Sequence, residues 1–178
     1  MKINTEAWGE FAICELFDVV KGSRLTKAER LEGPIRYVGA TMFNNGVYQH
    51  IGNREHVHPG NVLTVCYNGP VGTAFYQDEP FWATDDVNVL YPKFPLTRNR
   101  GLFIAPIIEK IGANYAYTNK WKLEDMKATI IKLPVTSEGS PYWEYMDSYI
   151  EQLIDGAERR ISALCQVLGS DVPMMKID

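Results

Sequence analysis

Cysteine is scarce in this sequence. Cys14, Cys66 and Cys165 lie far apart with no C-x-x-C pair, a pattern that argues against a disulfide framework or a structural zinc site and for reduced thiols in a cytoplasmic protein. No run approaches the ~18 apolar residues of a membrane helix, so no membrane span is expected. The opening MKINTEAWGE has no apolar stretch after Lys2, so no secretory signal is expected. Neither G-x-G-x-x-G after a strand nor G-x-x-x-x-G-K-[ST] occurs, which argues against dinucleotide and P-loop sites. The Asp/Asn/Ser-Pro-Pro-aromatic run with which amino-methyltransferases hold a target base is missing. No Ser or Cys has the local context of a nucleophile. Internal repeats and low-complexity tracts are absent. Positive charge is not in excess either: 18 Lys+Arg stand against 22 Asp+Glu, a net charge of -4. That sum by itself argues against a nucleic-acid binder, since such domains are usually basic.

What is present is enough for a core. The chain has 178 residues, 46% of them apolar and 12% aromatic, which fits one domain, or one domain and an appendage, at roughly 100–200 residues per domain. Charge is unevenly spread. Residues 1–97 hold 8 Lys/Arg and 11 Asp/Glu, 98–132 hold 7 and 3, and 137–178 hold 3 and 8. Within the first block, 21–36 is locally basic through Lys21, Arg24, Lys27, Arg30 and Arg36. Two basic stretches on an acidic background could meet phosphates together, with the acidic tail pointing elsewhere; differing solvated faces are the plainer alternative.

From about 11 to 92 the pattern is of short strands broken by turns, as in a twisted β-rich body. FAICELFDVV reads as strand or short helical turn. Strands are predicted at 35–38, 47–51, 62–67, 71–76, 81–84 and 87–91. Asn44-Asn45-Gly46, His58-Pro59-Gly60-Asn61 and Asn68-Gly69-Pro70 are turn signals, because Asn and Gly tolerate positive φ. Residues 99–112 look helical, with Pro106 as a kink or boundary and Gly112 as the stop. The loop NYAYTNKWKL follows, then a strand over 129–133. Pro134 closes this pattern, and a second helix is predicted from an N-cap at Ser140 with Pro141 at N1. Its apolar stripe, Met146, Ile150, Leu153, Ala157, Ile161, Leu164 and Leu168, recurs in steps of three and four over about 28 residues, roughly 42 Å. The stripe is either packing or a coiled-coil seam for a partner helix. The division expected is 1–136 for a recognition domain and 137–178 for a spacer or dimerisation helix.

Catalytic candidates are thin. Asp85-Asp86 would point to opposite strand faces and could not easily share a proton. His50, His56 and His58 crowd together, and His56 and His58 would share a face, but no Cys or third spaced ligand accompanies them, so no metal is assigned. Asp125-x-Lys127 is too short a match to a nuclease motif to carry weight. A binding module is favoured over an enzyme. The positive signal is the set of polar-aromatic loops: Tyr115, Tyr117, Thr118, Asn119, Lys120, Trp121 and Lys122, with Thr41 to Asn45 and Tyr67-Asn68-Gly69. Amides can pair with adenine edges, Arg and Lys with guanine or phosphate, and rings can stack. Ordinary turn chemistry is the alternative.

Four stretches then carry a resemblance: FDVVKGSRLTK (17–27), YVGATMFNNGV (37–47), HPGNVLTVCYNGPVGTAFYQDEPFWATDDVNVLYP (58–92) and YTNKWKLEDMKATIIKLPV (117–135). In this order they resemble the target-recognition domain of the DNA specificity (S) subunits of Type I restriction-modification systems, and the helix after Pro134 is similar to that family's spacer helix. The likeness covers nearly the whole chain. It implies an α+β fold, a twisted β-rich recognition domain with a long C-terminal coiled-coil-forming helix. It also implies a non-catalytic, cytoplasmic protein without cofactor that reads one half of a bipartite duplex DNA target. The partners it implies are a DNA methyltransferase subunit and, further, a restriction subunit. S subunits typically carry two recognition domains and two spacer helices, whereas this chain has one of each. It resembles a half-size form, in a Type I-like or Type IIB-like system, paired as a homodimer or with another half. On this reading Arg24, Lys27, Lys120 and Lys122 meet phosphates, while Asn44, Asn45, Tyr67, Asn68, Tyr117, Thr118 and Asn119 face bases. Two rival readings remain: a small metal-dependent hydrolase using His56, His58 and Asp85 or Asp86, and an assembly or decoy protein that no longer reads DNA.

Overall fold

The structure, a computed structural model, describes residues 5–115 and 119–168, and only the backbone at 167 and 168. Strands β1 (Gly9–Ala12) and β2 (Phe17–Lys21) flank a single helical turn, α1 (Ile13–Leu16). Then come β3 (Ile35–Val38), β4 (Val47–Ile51), β5 (Val57–His58), β6 (Val62–Cys66), β7 (Ala74–Gln77), β8 (Phe81–Ala83) and β9 (Val87–Pro92). Helix α2 (Arg98–Gly112), helix α3 (Leu123–Ala128), β10 (Ile130–Leu133) and helix α4 (Trp143–Leu168) follow among the described residues.

Two four-stranded sheets make the body. One is antiparallel with order β2-β9-β6-β7; the other, β4-β3-β8-β5, is mixed, because β3 runs parallel to β8. β1 pairs with β10 in a separate ribbon. The first sheet lies between two apolar layers, which is why the run from Val62 to Cys66 is buried at every position rather than alternating. Leu63, Val65 and Leu90 join Phe103, Ile104, Ile108, Trp121 and Met126 in the main core under the helices. Val62, Val87 and Val89 meet Val38, Phe81 and Ala83 of the second sheet. Beyond that sheet Tyr37, Ile51 and Trp82 are covered by Leu25 and Ile35.

Of the two long helices, α2 keeps the expected span and α4 departs from it. α2 runs through Pro106, whose ring stands on its exposed side, and ends at Gly112. α4 begins at Trp143 rather than after a Ser140 cap. Residues 134–142 form a small loop closed by the Val135 and Pro141 bridge and by Tyr142 N–H donating to the Pro134 carbonyl, so Pro141 is held extended. The boundary drawn at 136 falls at this loop, yet the first turns of α4 return to the main core. Phe94 and Trp143 stack at 4.1 Å, and Met146 and Ile150 are buried in the same cluster as α2. Arg100 clamps the contact: its Nε and Nη2 lie 2.9 and 2.7 Å from Asp147 Oδ2, and its Nη1 donates to the Pro95 carbonyl. This corrects the partner seam: Met146 and Ile150 are covered by the chain's own core.

Candidate nucleic-acid interface

At one end of the sheets the connections gather. Gly39 and Ala40, after β3, lie against Thr84 and Gly69. Gly72, after β6, has φ +90° and touches the backbone of Gly112, which in turn touches the ring of Trp121. A side chain at either glycine would part the β6–β7 turn from the loop after α2, so these two residues let loops from distant parts of the chain meet. Trp121 is fully buried, stacked on Tyr115 at 5.0 Å, with its indole N–H donating to Thr129. It anchors the segment that carries the exposed Asn119, Lys120 and Lys122.

The Asp85-Asp86 pair lies in the turn between β8 and β9, not on strand faces, and it fastens its neighbours. Tyr67 Oη donates to the Asp85 carbonyl at 2.7 Å, and Asn68 Nδ2 donates to Asp86 Oδ1 at 2.6 Å. The remaining amide oxygen, Asn68 Oδ1, is buried without a partner among the described residues. Lys21 Nζ sits 5.3 Å above the Tyr67 ring, and its hydrogen bond with that residue raises its pKa above 10.5, so it is charged at neutral pH. Arg24, 78% exposed, is 3.9 Å from Asp85. Lys21, which the sequence reading did not single out as a contact, belongs to this cluster; the signal was its position in the basic 21–36 stretch.

The candidate residues therefore fall into groups. Arg24, Tyr67, Asn68, Lys120 and Lys122 lie on loops that meet. Lys27 is exposed on a separate short turn over 27–29, held by the Thr26 and Glu29 capping box. Asn44 and Asn45 both have positive φ. Their amides are engaged by backbone: Asn44 Nδ2 donates to the Val47 carbonyl within the turn, and Asn45 Nδ2 to the Tyr76 carbonyl of β7 at 2.9 Å. They border a cleft of about 430 Å³ with Arg36, His50 and Arg98. Tyr117, Thr118 and the side chain of Leu168 lie outside the described residues.

The rival metal site is not assembled. His56 is exposed before β5, with its ring edge against Trp82. His58 is buried, its Nδ1 is 2.5 Å from Tyr91 Oη, and its ring stacks on Phe81. The two do not share a face, and Asp85 and Asp86 are engaged in the turn. Among the described residues no group of three or more His, Cys, Asp and Glu could hold a metal ion, so the hydrolase reading is not favoured. No helix among the described residues is long and apolar enough to cross a membrane.

Comparison with known proteins agrees with this geometry. Over 148 residues the chain is 36% identical to the "Type II restriction enzyme BgcI specificity subunit S.BcgI" of Heyndrickxia coagulans, covering 83% of this chain and 43% of that protein. It thus spans less than half the length of the curated relative it matches. In fold it is similar to a Type I restriction-modification S subunit from M. genitalium, with TM-score 0.59, 16% identity, and coverage of 91% of this chain and 44% of the other. It is likewise similar to the HsdS subunit of Thermoanaerobacter tengcongensis, with TM-score 0.60, 13% identity, and coverage of 96% and 42%. These likenesses establish a shared twisted α+β fold with a C-terminal helix. Residues 5–164 match the family of the Type I restriction modification DNA specificity domain, and the chain belongs to that family.

Proposed function

We propose that this chain reads one half-site of a bipartite duplex DNA target and carries it to a methyltransferase subunit, and further to a restriction subunit, in the cytoplasm, without chemistry of its own. The observation that carries this reading is the meeting of loops at one end of the sheets, with Lys21 over Tyr67, Arg24 beside Asp85, and the exposed Lys120 and Lys122 on the neighbouring segment anchored by Trp121. Cations would hold phosphates, while exposed amides on the same loops, such as that of Asn119, meet base edges. A net negative chain can do this because its acidic excess lies largely in the C-terminal segment.

A second copy completes the proposed reader. Leu153, Ile161 and Leu164 are 51%, 51% and 61% exposed on α4, and Ala157 is exposed between them. Leu153 also borders an apolar groove of about 720 Å³ lined by Trp8, Phe103, Pro106, Ile107 and Ile130. Paired antiparallel helices would give the assembly a two-fold axis suited to an interrupted palindrome. At 26 residues α4 is roughly 39 Å long, near the ~34–36 Å of one DNA turn.

The test is to express the chain with its methyltransferase in a host, sequence the methylated sites, and measure binding of the purified complex to that duplex across salt. A defined methylated motif and steep salt dependence are expected, with the slope shallower by about one unit when Arg24 or Lys122 becomes Ala. Methyltransferase binding without any methylated motif or salt-dependent DNA binding would overturn the reading in favour of a decoy.

A further inference from the structure

The loop between β3 and β4 ends in two large apolar side chains left mostly exposed by the described residues. Phe43 is 74% exposed, the most exposed large apolar residue among those described, and Met42 is 61% exposed. The loop is built to hold them out. Gly39 N–H donates to the Gly46 carbonyl, Gly46 N–H to the Phe43 carbonyl, and Phe43 N–H to Thr41 Oγ1. Asn44 and Asn45 take left-handed backbone, and Asn45 is tied in both directions, its Nδ2 to the Tyr76 carbonyl and its own carbonyl to Gln77 Nε2. An apolar tip fixed in this way has met much of its ordering cost before binding.

Its surroundings indicate the occupant. Residues 39–46 carry no acidic side chain, and the base of the loop touches Gly69 and Thr84, in the turns that hold Asn68 and Asp86. Lys21 and Arg24 border those same turns. Cations on the turns at the base of a rigid, exposed Met-Phe tip suit a duplex, where phosphates meet the charges and an apolar wedge enters the base stack. We propose that Phe43, backed by Met42, is a wedge that opens one base step of the bound half-site. This rests on the DNA reading above. An opened step eases the distortion needed to extrude a neighbouring base for modification.

The experiment uses the chain with its methyltransferase and duplexes of the methylated sequence, with 2-aminopurine placed at each step in turn. The methylated base is left out, because its extrusion belongs to the methyltransferase. Wild type is expected to raise fluorescence at one step. Phe43→Ala should abolish that rise and weaken binding about tenfold, with the salt slope unchanged, while Phe43→Leu keeps part of both. Phe43 is exposed, so the thermal midpoint of the variant should match wild type. The proposal is overturned by an undiminished rise in Phe43→Ala. Loss of methyltransferase capture in that variant, with its DNA affinity intact, overturns it too by marking a protein contact. No salt-dependent binding by wild type overturns the DNA reading along with the wedge, an outcome distinct from a wild type that binds DNA with Phe43 indifferent.

Discussion

The two halves of α4 carry one continuous apolar stripe and meet opposite fates. Met146 is fully buried and Ile150 nearly so in the main core, whereas Leu153, Ile161 and Leu164 stand half or more exposed on the same helix. Between them there is no change of hydrophobic period, only the point at which the helix leaves the buried core. Near its start Arg100 and Asp147 pin α4 to α2 and Trp143 stacks on Phe94; further along, at Leu153, Ile161 and Leu164, the stripe is at most half covered by the described residues. A stripe at helical spacing thus reports that something packs there. It does not report whether the partner is the same chain.

The largest test of this contrast is truncation. Met146→Ala should cost about 2–5 kcal/mol of stability in denaturant unfolding, while Leu164→Ala should stay within about 0.5 kcal/mol for the monomer. Equal losses would show that both halves are packed alike. The clamp comes next. Arg100 is 13% exposed and Asp147 28%, so Asp147→Ala leaves a mostly buried guanidinium with fewer acceptors and should cost about 2 kcal/mol, read from the same unfolding curves.

His56 and His58 repeat the contrast two residues apart. Burial, with His56 adding to it, holds His58 below its ordinary 6.5, so the unfolded chain takes up a proton first. The His58 contribution to stability is full above pH 6.5, falls as pH drops through the lowered folded value, and levels off below it. His58→Asn should remove this component of the pH dependence, whereas His56→Asn should only reduce it, since burial is the larger cause, as measured by unfolding midpoints from pH 7.5 to 5. The smallest effect on the fold belongs to Leu153→Ala with Leu164→Ala. This pair should leave the monomer's thermal midpoint nearly unchanged and lower the dimer fraction in sedimentation, if the exposed half is the seam proposed above.

Much of the body was legible in the residues. Turn chemistry at Asn44-Asn45-Gly46 and His58-Pro59-Gly60-Asn61 located the breaks, and the strands predicted at 35–38, 47–51 and 62–67 lie within a residue of β3, β4 and β6. α3 was not predicted, because six residues, LEDMKA, are too few to display a helical period. Two-residue β5 was missed for the same reason. The paired carboxylates and the histidine cluster looked like chemistry because sequence proximity does not distinguish a turn that binds its own backbone from a site open to a ligand.

Local patterning and composition determined the strand-rich body, the long amphipathic helix and the lack of any nucleotide or nucleophile signature, since these follow from side-chain period and turn propensity within a few residues. Tertiary structure decided which loops meet, which asparagines are already engaged, and where the apolar stripe leaves the core. Those depend on contacts such as Gly72 with Gly112 and Arg100 with Asp147, whose partners lie about forty residues or more apart in the chain, and no local pattern records the close approach that joins them.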